Sequence, residues 1–182
     1  MKIAKVGEPA PDFTMQIAQF GDNPKTMISS VSLATYAGKW LVLFFYPLDF
    51  TSVCPTEIIA FSKRKQEFDE LDAEILGVSV DSVFSHIAWM NTPVDQNGLG
   101  PIAFPLASDT PRKTAKRYGV LIEETGISLR GLFIIDPGGI LQYLIVHNLN
   151  TGRSVNETLR VLEALQTGTL CPSDWQPGEN TL

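Results

Sequence analysis

The stretch Trp40-Leu41-Val42-Leu43-Phe44-Phe45-Tyr46 decides the fold. Seven apolar residues run without Gly or Pro, too short for a membrane span and about the length of a strand buried on both faces. Pro47 to Thr51 reads as a loop, and Pro55 opens a helix to about Leu71. Ile58, Phe61, Phe68 and Leu71 share one face of that helix. Glu74 to Val80 is the next strand, and Ser82 caps a short helix that Pro93 closes.

Further along, Asp95 to Pro105 reads as a loop, rich in Gly and Pro. A helix follows Asp109-Thr110, with Pro111 at its first position and Gly119 just past its end. Leu132 to Asp136 is a strand, Pro137-Gly138-Gly139 a hairpin turn, and Ile140 to Val146 the returning antiparallel strand. Ser154-Val155-Asn156-Glu157 spells a capping box for a helix through Leu159, Leu162 and Leu165. This alternation predicts an α/β protein with a mixed sheet flanked by helices. The pattern ends at Gln166. Residues 1–166 are expected to form one domain, and 167–182 an extended tail.

Composition narrows the function. In 182 residues, 44% are hydrophobic and 19% charged, a globular rather than disordered balance. A net charge of -6 argues against nucleic acid as a partner, which calls for a basic stripe. The basic cluster Lys63-Arg64-Lys65 is followed at once by acidic residues and reads as a solvated helix face. No apolar core of a signal peptide follows Met1, and no run approaches the ~20 residues that span a bilayer. A soluble, cytoplasmic protein with no membrane partner is expected. In a reducing compartment the two cysteines, Cys54 and Cys171, are bystanders or chemistry rather than a staple.

Cys54 stands at the end of a buried strand and at the start of a helix. Free N–H groups and the positive end of the helix dipole favour a thiolate there. The alternative is a small hydrophobe packed under the helix. Thr51 is either a partner for the sulfur or a polar oxygen, or an ordinary turn residue. Pro47 either stiffens the loop and shields the sulfur or simply ends the strand. Arg130, just before a strand, faces Cys54 if the two strands are neighbours, and is otherwise a solvated strand-end charge. Glu57 and Arg153 carry weaker signals of the same kind. Cys171 lies in the tail, either an accessible resolving thiol or an incidental one. His86 and His147 lack ligand spacing to a cysteine, so no metal site is expected. There is no G-x-S-x-G turn, and no helix follows Asp136-Pro137-Gly138-Gly139 to make it a phosphate loop.

The stretch Phe44 to Thr51, with Val53-Cys54-Pro55-Thr56-Glu57, closely resembles the peroxiredoxins. The likeness is to the typical two-cysteine group that includes the bacterial alkyl hydroperoxide reductase peroxidase subunit. Its Pro-x-x-x-Thr-x-x-Cys motif is met by Pro47, Thr51 and Cys54. The match begins at Val6-Gly7-Glu8-Pro9 and continues through Ser85-His86-Ile87-Ala88-Trp89, Arg130 to Asp136, Gly152-Arg153-Ser154, and Cys171-Pro172 with Trp175.

The resemblance implies a thioredoxin-like fold and a thiol-dependent peroxidase without metal or cofactor. It implies that Cys54 is the peroxidatic cysteine, with Pro47, Thr51 and Arg130 around it, and that Cys171 resolves it. It further implies an intersubunit Cys54–Cys171 disulfide in a homodimer, five dimers assembling into a ring, and reduction by thioredoxin or a dedicated flavoprotein. A holdase chaperone and a peroxide sensor relaying its disulfide to a partner are the alternative roles.

Three departures stand out. Ser52 replaces the family's usual Phe, and the segment before Cys171 is a few residues shorter. The sequence ends at Leu182 without the longer C-terminal helix of peroxide-sensitive members, which implies resistance to over-oxidation. Asn97-Gly98-Leu99-Gly100 resembles their Gly-Gly-Leu-Gly, with Asn97 in place of the first Gly.

Overall fold

A computed structural model describes residues 3–21 and 27–182. The chain runs β1 (Thr14–Ala18), β2 (Ile28–Ser32), β3 (Trp40–Phe45), α1 (Cys54–Lys63), α2 (Lys65–Glu70), β4 (Ala73–Ser79) and α3 (Val83–Asn91). It continues with β5 (Leu106–Ser108), α4 (Lys113–Arg117), β6 (Leu121–Ile122), β7 (Ile127–Ser128), β8 (Arg130–Ile135), β9 (Leu141–His147) and α5 (Val155–Gln166). Seven strands form one mixed sheet in the order β2-β1-β5-β4-β3-β8-β9, while β6 and β7 make a small separate hairpin. β3 is parallel to β4 and antiparallel to β8.

The apolar run at 40–46 does bury both faces. Val42, Phe44 and Tyr46 join one core with Ile58 and Phe61 of α1, Trp89 of α3 and Leu162 of α5. Leu41, Leu43 and Phe45 join the opposite core with Ala115 of α4 and Tyr118. Strand alternation sends successive side chains to opposite faces, so an unbroken apolar run is what a two-sided strand needs. On the first face Phe44 stacks on Phe61 at 5.1 Å. The expected α/β architecture, a mixed sheet between helices, is the one observed.

Several local expectations change. The helix expected over Pro55–Leu71 is two helices, because Arg64 leaves helical geometry at φ −108°, ψ 13°. No Gly or Pro marks that break. The second piece still carries Phe68 into the core, 5.8 Å from Phe61. Pro111 does not open α4. It lies in the preceding turn, since Arg112 adopts a left-handed φ of 59°. Asp109 caps the helix instead, accepting from the N–H groups of Thr114 (3.1 Å) and Ala115 (2.7 Å). The Ser154 capping box is half formed. Ser154 Oγ accepts from the Glu157 N–H at 3.1 Å, but the Glu157 carboxylate pairs forward with Arg160.

The β8–β9 hairpin forms as read, with Asp136 Oδ1 accepting from the Gly138 and Ile140 N–H groups. β1, β2, β5 and the β6–β7 pair were not legible, being short and weakly alternating. After Gln166 there is no further helix or strand, yet the tail folds back. Trp175 is 4% exposed, and its carbonyl accepts from Arg160 Nη1 at 3.0 Å.

Candidate active site

Cys54 is the first residue of α1 and is fully buried. β3 delivers the chain to this point, and Pro47, also buried, turns it out of the sheet. Pro55 sits in the first turn of α1, where its missing N–H costs nothing.

The cation expected near the sulfur comes from β8. Phe44 pairs with Leu132, so the antiparallel register sets Arg130 level with Tyr46, at the end of β3 where Cys54 follows. Arg130 Nη1 donates to Cys54 Sγ at 3.3 Å and to Glu57 Oε2 at 2.7 Å, while its Nε donates to the Leu149 carbonyl at 2.7 Å. The guanidinium is thus held from two sides.

Glu57 is one turn along α1 from Cys54 and organises the rest. Arg153 donates to it from its backbone N–H and Nε (both 2.7 Å to Oε1) and from Nη2 (3.1 Å to Oε2). Arg153 Nη1 donates to the carbonyls of Phe45 (2.8 Å) and Gly131 (2.6 Å), which pins it to β3 and β8 together. All three side chains are 3% exposed or less. Burial pushes the Glu57 carboxyl up. The hydrogen bonds and charge of Arg153, with the charge of Arg130, outweigh this and hold it below the usual carboxylate range. Burial lowers Arg153 against the opposing pull of Glu57.

Thr51 Oγ1 donates its proton to the Leu48 carbonyl at 2.9 Å. Its hydrogen is therefore not available to the sulfur, and its lone pairs are free to accept.

A buried network behind this loop escaped the sequence reading. The Asp49 carboxylate accepts from Tyr46 OH (2.8 Å) and Ser85 Oγ (2.8 Å), and faces His86 Nδ1 at 2.8 Å. His86 Nε2 donates to the Ala107 carbonyl, and the Asp49 N–H donates to Asp81 Oδ2 at 2.9 Å. His86 is fully buried. A lone Asp in a loop carries no spacing signal that predicts this.

Cys171 is not beside Cys54. It is half-buried against α5, with Sγ 3.4 Å from Thr167 Oγ1 and 3.7 Å from the Ala164 carbonyl, and both cysteines are free thiols. Among the described residues there is no cluster of three or more His, Cys, Asp or Glu able to hold a metal, and no helix long and apolar enough to cross a membrane.

Residues 6–144 match the AhpC/TSA family. The chain belongs to that family. It is a peroxiredoxin, a thiol-dependent peroxidase. It is 58% identical over 97% of its length to a Clostridium pasteurianum protein described as a peroxiredoxin in a rubredoxin operon, and covers 98% of that protein. It is 52% identical to Peroxiredoxin-1 of Gallus gallus, with 98% of this chain and 90% of that one covered. Among solved structures, the reduced 2-Cys peroxiredoxin of Plasmodium vivax superposes with a TM-score of 0.91 at 42% identity, over 96% of this peroxiredoxin and 91% of that chain. AhpC of Mycobacterium bovis superposes with a TM-score of 0.83 at 39% identity, over 97% of this chain and all of the other.

Proposed function

We propose that this peroxiredoxin reduces hydrogen peroxide and alkyl hydroperoxides by a two-cysteine cycle in which Cys54 attacks and Cys171 resolves. The observation that carries the reading is the Arg130 hydrogen bond to Cys54 Sγ at the N-terminus of α1, with Glu57 holding Arg130 in place. The sulfur attacks the terminal peroxide oxygen, an S–O bond forms, and the O–O bond breaks. The departing oxygen takes the electron pair and a proton, leaving as water or an alcohol, and Cys54 becomes a sulfenic acid. Arg130 and the first N–H groups of α1 meet negative charge as it moves along the breaking bond. Thr51, its own proton committed to Leu48, accepts from the peroxide O–H and orients it.

Cys171 then condenses with the sulfenic acid, forming a disulfide and releasing water. An external dithiol, a thioredoxin or a flavoprotein-linked reductant, returns both thiols by exchange. The separate placement of the two cysteines suits a Cys171 supplied by the partner in a homodimer, which a ring of five dimers would preserve. The substrate needs no metal or bound cofactor in this cycle. The protein is expected in the cytoplasm, in a reducing setting that regenerates its thiols.

Cys54→Ser should abolish peroxide consumption. Cys171→Ser should spare the first turnover and block recycling by thioredoxin. Steady turnover of Cys171→Ser with thioredoxin would refute the two-cysteine cycle.

A further inference from the structure

Arg130 is held on one side by the Glu57 carboxylate and on the other by a backbone carbonyl, that of Leu149, which accepts from Nε at 2.7 Å. Leu149 lies in the turn 148–152 that follows β9, so the shape of this turn decides where the guanidinium sits relative to Cys54 Sγ. The turn also packs on α1 and the residue before it. A Cβ at Gly152 would lie 3.4 Å from Glu57 Cγ and 3.6 Å from Val53 Cγ1, and the next residue, Arg153, grips the Glu57 carboxylate. One short turn therefore bears on both Arg130 and Glu57.

Its bracing is local and polar. Asn148 Oδ1 accepts from the Leu149 N–H at 2.8 Å, and the Asn148 carbonyl accepts from the Thr151 N–H at 3.4 Å. His147, the last residue of β9, closes the turn, with Nδ1 3.2 Å from the Thr151 carbonyl. A carbonyl oxygen can only accept, so Nδ1 carries the hydrogen and donates it, whether the ring is neutral or charged. His147 is paired across the sheet with Arg130, and cross-strand partners share a face. The half-buried ring and the guanidinium thus start from the same point of the β8–β9 ladder.

We infer that His147 is a positioning residue whose Nδ1–H clamps the 148–152 turn and so aims Arg130 at Cys54. The inference rests on the reading of Cys54 as the attacking sulfur and Arg130 as its donor. His147 acts through the Leu149 carbonyl and not on the sulfur. With the clamp gone, Glu57 still holds Arg130 Nη1, but the Nε side of the guanidinium is free to swing. The donor then spends less time on the sulfur, and the step that slows is the attack on peroxide.

Two variants separate the donor from the ring. His147→Ala removes the Nδ1–H. His147→Asn restores a donor without ring or charge, since an Asn side-chain nitrogen reaches about as far as Nδ1 and also carries hydrogen. One exposed hydrogen bond is a modest restraint, so His147→Ala should slow the first oxidation of Cys54 about fivefold, and His147→Asn should stay within about twofold of wild type. Competition against a reference thiol peroxidase reads both. Because the effect passes through Arg130, His147→Ala added to Arg130→Met should cost nothing further. The Arg130 Nε–H NMR signal of the reduced protein gives a readout without peroxide. Its exchange with water should rise about fivefold in His147→Ala and stay near the wild-type rate in His147→Asn.

A wild-type oxidation rate in His147→Ala would overturn the clamp. So would an equal loss in His147→Asn, a full further loss in the Arg130→Met background, or a slowed rate with unchanged Nε–H exchange. An Arg130→Met protein that oxidises as fast as wild type would overturn the reading of Arg130 itself, and this inference with it.

Discussion

Glu57 and Arg153 meet at 2.7 Å through both a side-chain and a backbone donor of the arginine, with both side chains 2% exposed. Arg153 in turn grips the carbonyls of Phe45 and Gly131. The pair thus joins the helix that bears Cys54 to the two strands that position Cys54 and Arg130. Breaking a buried pair by removing one partner costs about 3–5 kcal/mol, because the other charge is left stranded. Arg153→Met should lower stability to urea by that order and lower peroxide reactivity with it.

The same pair makes the site acid-sensitive. Glu57 is held below its unfolded carboxyl range, so its contribution to stability is present above that range and is lost as pH falls through the depressed folded value. Melting temperature should therefore drop as pH falls below about 4.3, the ordinary Glu value. Glu57→Gln should flatten that part of the profile. A Glu57→Gln protein that kept the full acid-linked drop would assign it to other carboxylates.

Arg130 Nη1 donates to Cys54 Sγ, the proposed reacting sulfur, at 3.3 Å. Removing one preorganised donor from a site of developing charge typically costs about 10²–10³ in rate. Arg130→Met should lose this much in the second-order rate with peroxide, read by competition against a reference thiol peroxidase. Stability losses are to be measured alongside, since Glu57 loses one of its two arginines.

Thr51 is expected to act as an acceptor while its proton stays on Leu48. Thr51→Ser should keep most of the peroxide rate. Thr51→Val, of nearly the same shape, should lose it by at least tenfold. Equal rates for the two variants would remove the hydroxyl from the chemistry.

Gly131 is a packing constraint rather than a chemical one. A Cβ there would lie 2.5 Å from Val120 and 2.9 Å from Phe133. Gly131→Ala should cost about 1–3 kcal/mol of overpacking, with the peroxide rate per folded molecule little changed.

How much of this was legible varied by residue. The strand at 40–46 announces itself because burial on both faces demands apolar residues at every position. The placement of Cys54, Thr51 and Pro47 was readable because it is local to one loop and one helix start. Arg130 was readable only conditionally, since its approach depends on β8 lying beside β3, a pairing no local pattern encodes. Glu57 and Arg153 gave weak signals for the same reason, being 96 residues apart in sequence. Asp49 and His86 meet only in three dimensions, so their partnership had no one-dimensional trace. The break at Arg64 lacked the usual punctuation, and the short β5 lacked the length for periodicity to register.

The Arg130–Cys54 contact spans 76 residues of sequence. During synthesis the cysteine leaves the ribosome well before the arginine exists, and the two meet only after β8 has docked along β3. A newly made polypeptide thus carries a thiol without its arginine. Under the proposed mechanism, a chain misfolded by one strand register would meet peroxide only as an ordinary thiol does.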